Sequence, residues 1–312
     1  SHGGLFLAVL VHLCCIIQFF HFNIAFFELY AILRKTAHIK KLSSRGFNRS
    51  NNFLLSQLRT EVFCMQTREL ANFVCQIDEK NTSDATRLVI RQTVLDTIGA
   101  AISGSLTAEG DIWSRYFLAY HSDEPAATVL GKTLPVAGYR HAAAVNAAFG
   151  HILDFDDVCN LAIAHLGVVT VPGALAVAQS RNASGKELMS AVAAGFEIGA
   201  RIGYAINPSA YKIWHTTSVV GGLSTCAAVG RLLHLSPEQM LHAFGSAGTQ
   251  AAGLWEFMAD GAMSKPLHTA NATLCGIRSA ELAALGLTGA SRILEGSQGL
   301  LRAMSKEYYP ER

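Results

Sequence analysis

The chain has 312 residues, a formal net charge of +2, 50% hydrophobic residues and only 15% charged ones. That length buries a sizeable core as one large domain or two smaller ones. The near-neutral balance, with no dense Lys/Arg stripe beyond residue 50, argues against nucleic acid as a partner.

Residues 5 to 33 are nearly continuous apolar sequence, long enough for a tilted membrane helix, and Arg34, Lys35, Lys40, Lys41, Arg45 and Arg49 follow as a basic flank. His12, His21, Asn23 and Glu28 interrupt the run, and "SSRGFNRSNN" has linker composition. Residues 1–64 are therefore expected to be an extension or a gene-model artefact, with a membrane association only if the apolar run is a real segment. A signal peptide is disfavoured, because no short basic region precedes the run and no small-residue cleavage site follows it. The catalytic body is expected over 65–312.

From Thr86 onward, Leu88, Val89, Leu95, Ile98 and Ile102 share one side of a 3.6-residue repeat, which predicts an amphipathic helix. "ATVLG" at 127–131 is the best strand candidate, and "LPVAG" reads as a loop or short edge. Ser184 with Glu187, and Ser236 with Gln239, form capping boxes, the second with Pro237 at the first helical position. Helices are predicted at about 186–205, 217–233, 237–252 and 269–286. Runs such as "AVAAGFEIGARIG" and "GSAGTQAAG" are small enough for helix backbones to approach closely. No G-x-G-x-x-G follows a strand, so a dinucleotide fold has no support. Seven cysteines, without C-x-x-C spacing, fit a reducing compartment with mostly buried thiols, Cys159 included.

Within this apolar chain, "GHILDFDDVCNLAIAHLG" at 150–167 gathers three carboxylates and two histidines. On a helix continued from "RHAAAVNAAFG", His151, Asp154 and Asp157 share a face and Asp156 points away. Acids so placed beside Ala, Phe and Leu have raised pKa values, as proton transfer near neutrality requires. The bland alternative is a helix end with capping acids and core histidines. Three further polar outliers stand in small-residue surroundings: His165 at the start of the helix "LGVVTVPGALAVAQ", His215 in "WHTTSVVGG", where Thr216 or Thr217 can cap the next helix, and Lys265 before a helix start, where an anion binds readily.

The motifs "AAFGHILDFDDV", His165, "VPGALAVAQ", "SGKELMSAVAAGFEIGARIG", "WHTTSVVGG" and "MSKPLHTANATLCGIRSAELAALGLTGASRILEG" together resemble the MmgE/PrpD family, the group of 2-methylcitrate dehydratases and cis-aconitate decarboxylases, over about residues 66 to 300. The resemblance implies a large all-α domain, a homodimer, and lyase chemistry on a small di- or tricarboxylate with no metal, iron–sulfur cluster or other cofactor. It places catalytic roles on Asp154, His165, His215 and Lys265; His151 and Asp157, read on the face shared with Asp154, are the substrate-binding candidates. The body is then expected in the cytoplasm, or in the mitochondrion of a eukaryote. Two departures are visible. The family usually has Thr where Val158 stands and Pro-Ser where Leu166 and Gly167 stand, and it continues into a smaller α+β lid domain, so the chain is expected to be the N-terminal helical part alone.

Two competing readings remain. "FDDV" on a helix suits a magnesium-dependent terpenoid synthase, but the residue four after Asp156 is Asn160 and no second metal motif follows. A catalytically inactive helical module for dimerisation or regulation is the other.

Overall fold

The computed structural model describes residues 66–78, 80, 82–118, 126–131 and 136–312. The expected membrane segment at 5–33 and the extension at 1–64 lie outside the described residues. The chain divides into two compact units, residues 1–58 with 83–89, and residues 59–82 with 90–312. Of the first unit only Ser83–Val89 is described, where Arg87 pairs with Asp84 at 2.6 Å one helical turn away.

Ten α-helices and two short strands are described. They are α1 (Gln66–Gln76), α2 (Asp84–Ser105), α3 (Ala108–Leu118), β1 (Ala126–Thr128), β2 (Val136–Gly138), α4 (Tyr139–His151), α5 (Gly167–Ser180), α6 (Gly185–Ile206), α7 (Thr216–Leu232), α8 (Pro237–Gly248), α9 (Lys265–Ala284) and α10 (Leu300–Met304). The all-α expectation holds. The strand expected in "ATVLG" begins one residue earlier, and "LPVAG" supplies its antiparallel partner, with Ala127 opposite Ala137. Both capping boxes form as read: Ser184 and Glu187 bond reciprocally at the start of α6, and Ser236 and Gln239 at the start of α8. Among the described residues no helix is long and apolar enough to cross a membrane.

The core of the second unit is built around α7, in which every residue but Arg231 is buried. It packs mainly against α6 and α9. The approach of α9 is close because Gly276 faces α7; a Cβ there would lie 2.7 Å from the backbone nitrogen of Cys226. Cys159, Cys226 and Cys275 are free and buried, as free thiols in apolar surroundings tend to be.

Helix α2 departs from expectation. The stripe read as its core face is largely solvent-facing, with Leu95 72% exposed, while Thr93, Thr97, Ala100, Ala101 and Gly104 are buried. The reason is steric. Gly104 abuts the Phe149 carbonyl of α4, and an added Cβ would fall 2.0 Å from that oxygen, so only the small-residue face of α2 fits.

Candidate active site

The helix expected to align His151, Asp154 and Asp157 ends at His151. Asp154 then takes a left-handed backbone, φ 51°, which turns the chain out of the helical path. The next segment is pinched by an antiparallel bridge in which the Cys159 N–H donates to the Ala164 carbonyl at 2.9 Å. Its tip is fastened to α6: Asn207 Nδ2 donates to the Ala162 carbonyl, and Gly203 leaves room for Ala162, whose Cα would sit 3.1 Å from a Cβ at that position. The pinch returns the chain so that His165 faces Asp154 and Asp156.

Two other stretches converge on the same place. The Thr217 hydroxyl, in the first turn of α7, accepts from the His165 N–H at 3.0 Å, so it braces the loop across the fold; no side-chain cap from either threonine is found at this helix start. The His215 N–H donates to the Gly253 carbonyl at 2.9 Å, fixing the residue that opens α7. Lys265 is the first residue of α9, earlier than the predicted start, and its ammonium pairs with Asp154 Oδ1. His165 Nε2 lies 3.7 Å from that same oxygen.

Behind this pair sits a layer of imidazoles. His151, 1% exposed, stacks on His215 with ring centroids 5.4 Å apart, and meets His165 edge-on at 4.8 Å. Asp156, expected to point away, is instead buried and binds His151 Nδ1 at 2.9 Å. The helical extrapolation fails for it because the helix has already ended. Asp157 turns elsewhere, accepting from the Gly167 N–H at 2.8 Å beside Thr97 of α2. Thus Asp154, His165, His215, Lys265 and His151 are brought together, and Asp157 is not part of that cluster.

His268 does not stand out in the sequence. It follows Lys265 by three residues, hence lies on the same helical face, and that spacing is the available signal. Its Nδ1 is 3.0 Å from His215 Nδ1. It also lines a cavity of about 580 Å³ with Trp214, Ser218, Phe257 and Asn271.

Burial and mutual charge separate the protonation equilibria. Burial, reinforced by the neighbouring His151, lowers His215 to about 2. Burial also lowers His268 and His151, in the latter against the pull of Asp156. For His165, burial is outweighed by the hydrogen bond and charge of Asp156, and its pKa rises. Burial would raise Asp156 too, yet His151 and His165 hold it well below the usual carboxylate range. Asp157, enclosed and next to the Asp156 charge, is pushed up to about 7; one of its carboxyl oxygens is shut in without a partner. The expected rise of a carboxyl pKa is therefore found at Asp157, with Asp156 as the neighbouring charge, while Asp156, set aside by the helical reading, is shifted the other way.

Ligand atoms of His151, Asp154, Asp156 and His165 lie within 4.8 Å of one another, a spacing a divalent cation could bridge. Here the chain supplies its own cation: Lys265 occupies Asp154, and His151 Nδ1 is engaged by Asp156. What the arrangement offers chemically is a largely enclosed ammonium, an exposed carboxylate beside it, and two imidazoles of opposite pKa tendency.

Residues 68–312 match the family model of the MmgE/PrpD N-terminal domain. The human cis-aconitate decarboxylase is 35% identical over 215 residues, 67% of this chain and 44% of that protein. The cis-aconitate decarboxylase of Aspergillus terreus is 34% identical over 219 residues, 66% of this chain and 43% of that one. The mouse cis-aconitate decarboxylase is 30% identical over 250 residues, 78% of this chain and 50% of that one. The chain spans about half the length of the curated relatives it matches.

Proposed function

Because the chain belongs to the MmgE/PrpD family, we propose that it takes part in lyase chemistry on a small di- or tricarboxylate, such as cis-aconitate or 2-methylcitrate, by acid–base catalysis without a metal. The observation that carries this reading is the meeting of Lys265 with Asp154 and His165, brought from two distant stretches of the chain, at one partly exposed point. The Lys265 side chain is 16% exposed and that of Asp154 59%, so the pair borders solvent and can open to an incoming carboxylate.

Lys265 would hold a substrate carboxylate and stabilise the enolate-like charge that develops next to it. His165, its pKa raised, is suited to deliver a proton near neutrality, and His215, kept neutral, to act beside it as an uncharged hydrogen-bonding imidazole. In decarboxylation, the bond to the departing carboxylate breaks, its electron pair passes to the carbon framework, and His165 protonates that carbon; solvent then restores the His165 proton. In dehydration, one imidazole takes the proton next to a carboxylate while another acid protonates the leaving hydroxyl. Asp154 either sets the charge of His165 or binds a substrate hydroxyl.

The same proposal includes a homodimer, checked by light scattering, and a reducing, cytoplasmic-type compartment, which the free buried thiols support. The chemistry is tested by giving the purified chain cis-aconitate, citrate and 2-methylcitrate and following carbon dioxide and unsaturated product. Turnover unchanged by EDTA is expected; turnover abolished by EDTA would sink the metal-independent form. Val158, in place of the family's usual threonine, favours a second reading, a non-catalytic helical module. Silence on all three substrates would decide for it.

A further inference from the structure

We infer that Asp156 is a positioning residue, the buried carboxylate that fixes which nitrogen of His165 faces the Asp154–Lys265 pair. The inference deepens the proposed lyase reading and rests on it for its kinetic consequence.

The geometry is that of one carboxylate braced between two imidazoles. Asp156 Oδ2 is 2.9 Å from His151 Nδ1, Oδ1 is 3.1 Å from the same nitrogen, and Oδ2 is 3.2 Å from His165 Nδ1. The side chains of Asp156 and His151 are both fully enclosed. An ionised carboxylate only accepts, so each imidazole facing it carries hydrogen on Nδ1. The His165 contact lies off the line of a straight hydrogen bond, and is the weaker of the two. Such contacts commonly tighten once substrate is bound.

Fixing hydrogen on Nδ1 leaves Nε2 as the working nitrogen of His165. That atom is the one directed at Asp154 Oδ1, 3.7 Å away, on the side where Lys265 sits. His151 has a different part. Shut in at 1% exposure and stacked on His215, it has no route to a substrate, but it supplies the second donor that a buried carboxylate needs. The arrangement is the one by which outer carboxylates orient working histidines elsewhere in proteins. The charged and titratable groups facing Asp156 are His151, His165, Asp157 and Asp96, with Lys265 beyond them.

Asp156→Asn tests the idea, because its amide has one accepting oxygen and an NH2 that cannot receive an imidazole N–H. The full chain labelled with 15N-histidine reports the protonated ring nitrogen directly, the His165 signal being assigned from its loss in His165→Gln. In the native chain His165 is expected to show hydrogen on Nδ1, and in Asp156→Asn to move to the Nε2–H form. With cis-aconitate, kcat should fall by about 100-fold or more while KM stays within about threefold. A merely structural role would lower thermal stability without moving the tautomer. Should Asp156→Asn fail to fold, the native spectrum still decides: His165 carrying its hydrogen on Nε2 alone overturns the inference, as does a folded Asp156→Asn with unchanged tautomer or kcat. The tautomer measurement needs no turnover, so a chain inert toward every carboxylate would defeat the lyase reading and leave this result to stand or fall separately.

Discussion

The imidazoles of His151 and His215 lie 5.4 Å apart and within 8° of parallel, deep in the second unit. Two imidazolium rings in that position would repel each other without water to screen them. Both are accordingly kept neutral, His215 down to about 2, chiefly by burial.

The first prediction follows from that depression. A base whose folded pKa is lowered contributes stability that is present above its unfolded pKa, near 6.5, and lost as pH falls below it. Each such group costs about 1.4 kcal/mol per pH unit on acidification. Urea denaturation of the native chain should therefore weaken more steeply between pH 6.5 and 5 than that of His215→Gln, which lacks the group. Parallel stability curves for the two proteins would contradict the assignment of His215 as a buried neutral base.

Asp157 has the opposite sign. Its folded pKa, about 7, lies above the unfolded 3.8, so its contribution is fully present below 3.8 and is lost as pH rises toward 7. Asp157→Asn keeps an acceptor for the Gly167 N–H and cannot ionise. The stability difference between variant and native chain should move in the variant's favour by about 1.4 kcal/mol per pH unit from pH 4 to 7, then level off. Because only the trend is read, any constant penalty of the amide drops out. A difference independent of pH would show that Asp157 ionises normally in the fold.

How far these features are readable from sequence depends on whether their causes are local. The two capping boxes are legible because Ser184 with Glu187 and Ser236 with Gln239 complete their bonds within one turn. His165, His215 and Lys265 stand out as polar residues among small apolar ones. Asp156 is misplaced by a 3.6-residue period carried past His151, where the chain leaves the helix at a left-handed Asp154 and is held by distant partners, Asn207 beside α6 and Thr217 on α7. His268 escapes notice although its offset of three from Lys265 is in plain view. The face of α2 is misassigned for another reason: hydrophobicity favours Leu95, whereas the close approach to Phe149 admits only Gly, Ala and Thr.

That last point gives a paired prediction on one helix. Gly99 has open space around a would-be Cβ, whereas at Gly104 the added atom meets a backbone carbonyl at 2.0 Å. Gly99→Ala should stabilise the chain by about 0.5–1 kcal/mol, the usual helix-propensity gain. Gly104→Ala should destabilise it by about 3 kcal/mol, since backbone must shift on α2 or α4. Chemical denaturation of the two variants reads the contrast, and equal effects would mean that α2 and α4 are not in close contact.

The ion pair of Lys265 with Asp154 separates stability from chemistry. A pair bordering solvent contributes little to folding, about 0–1 kcal/mol, because water already solvates the 59%-exposed Asp154 carboxylate and screens its pull on the more enclosed ammonium. If the ammonium instead serves a substrate carboxylate and the charge that builds beside it, its removal should be felt mainly in turnover. Lys265→Met keeps most of the aliphatic stem and removes the charge. The expected result is a midpoint of thermal unfolding shifted by only a few degrees and a kcat/KM for cis-aconitate lowered by about 100- to 1,000-fold. Asp154→Asn should be as mild toward stability, and its effect on turnover tells which of its two roles holds: a change in the acid limb of the pH–rate profile marks a carboxylate that sets the His165 charge, a change in KM alone one that binds a substrate hydroxyl. A Lys265→Met chain that unfolds outright, or that turns over normally, would remove the ammonium from the chemistry and with it the reason to read this cluster as a carboxylate site.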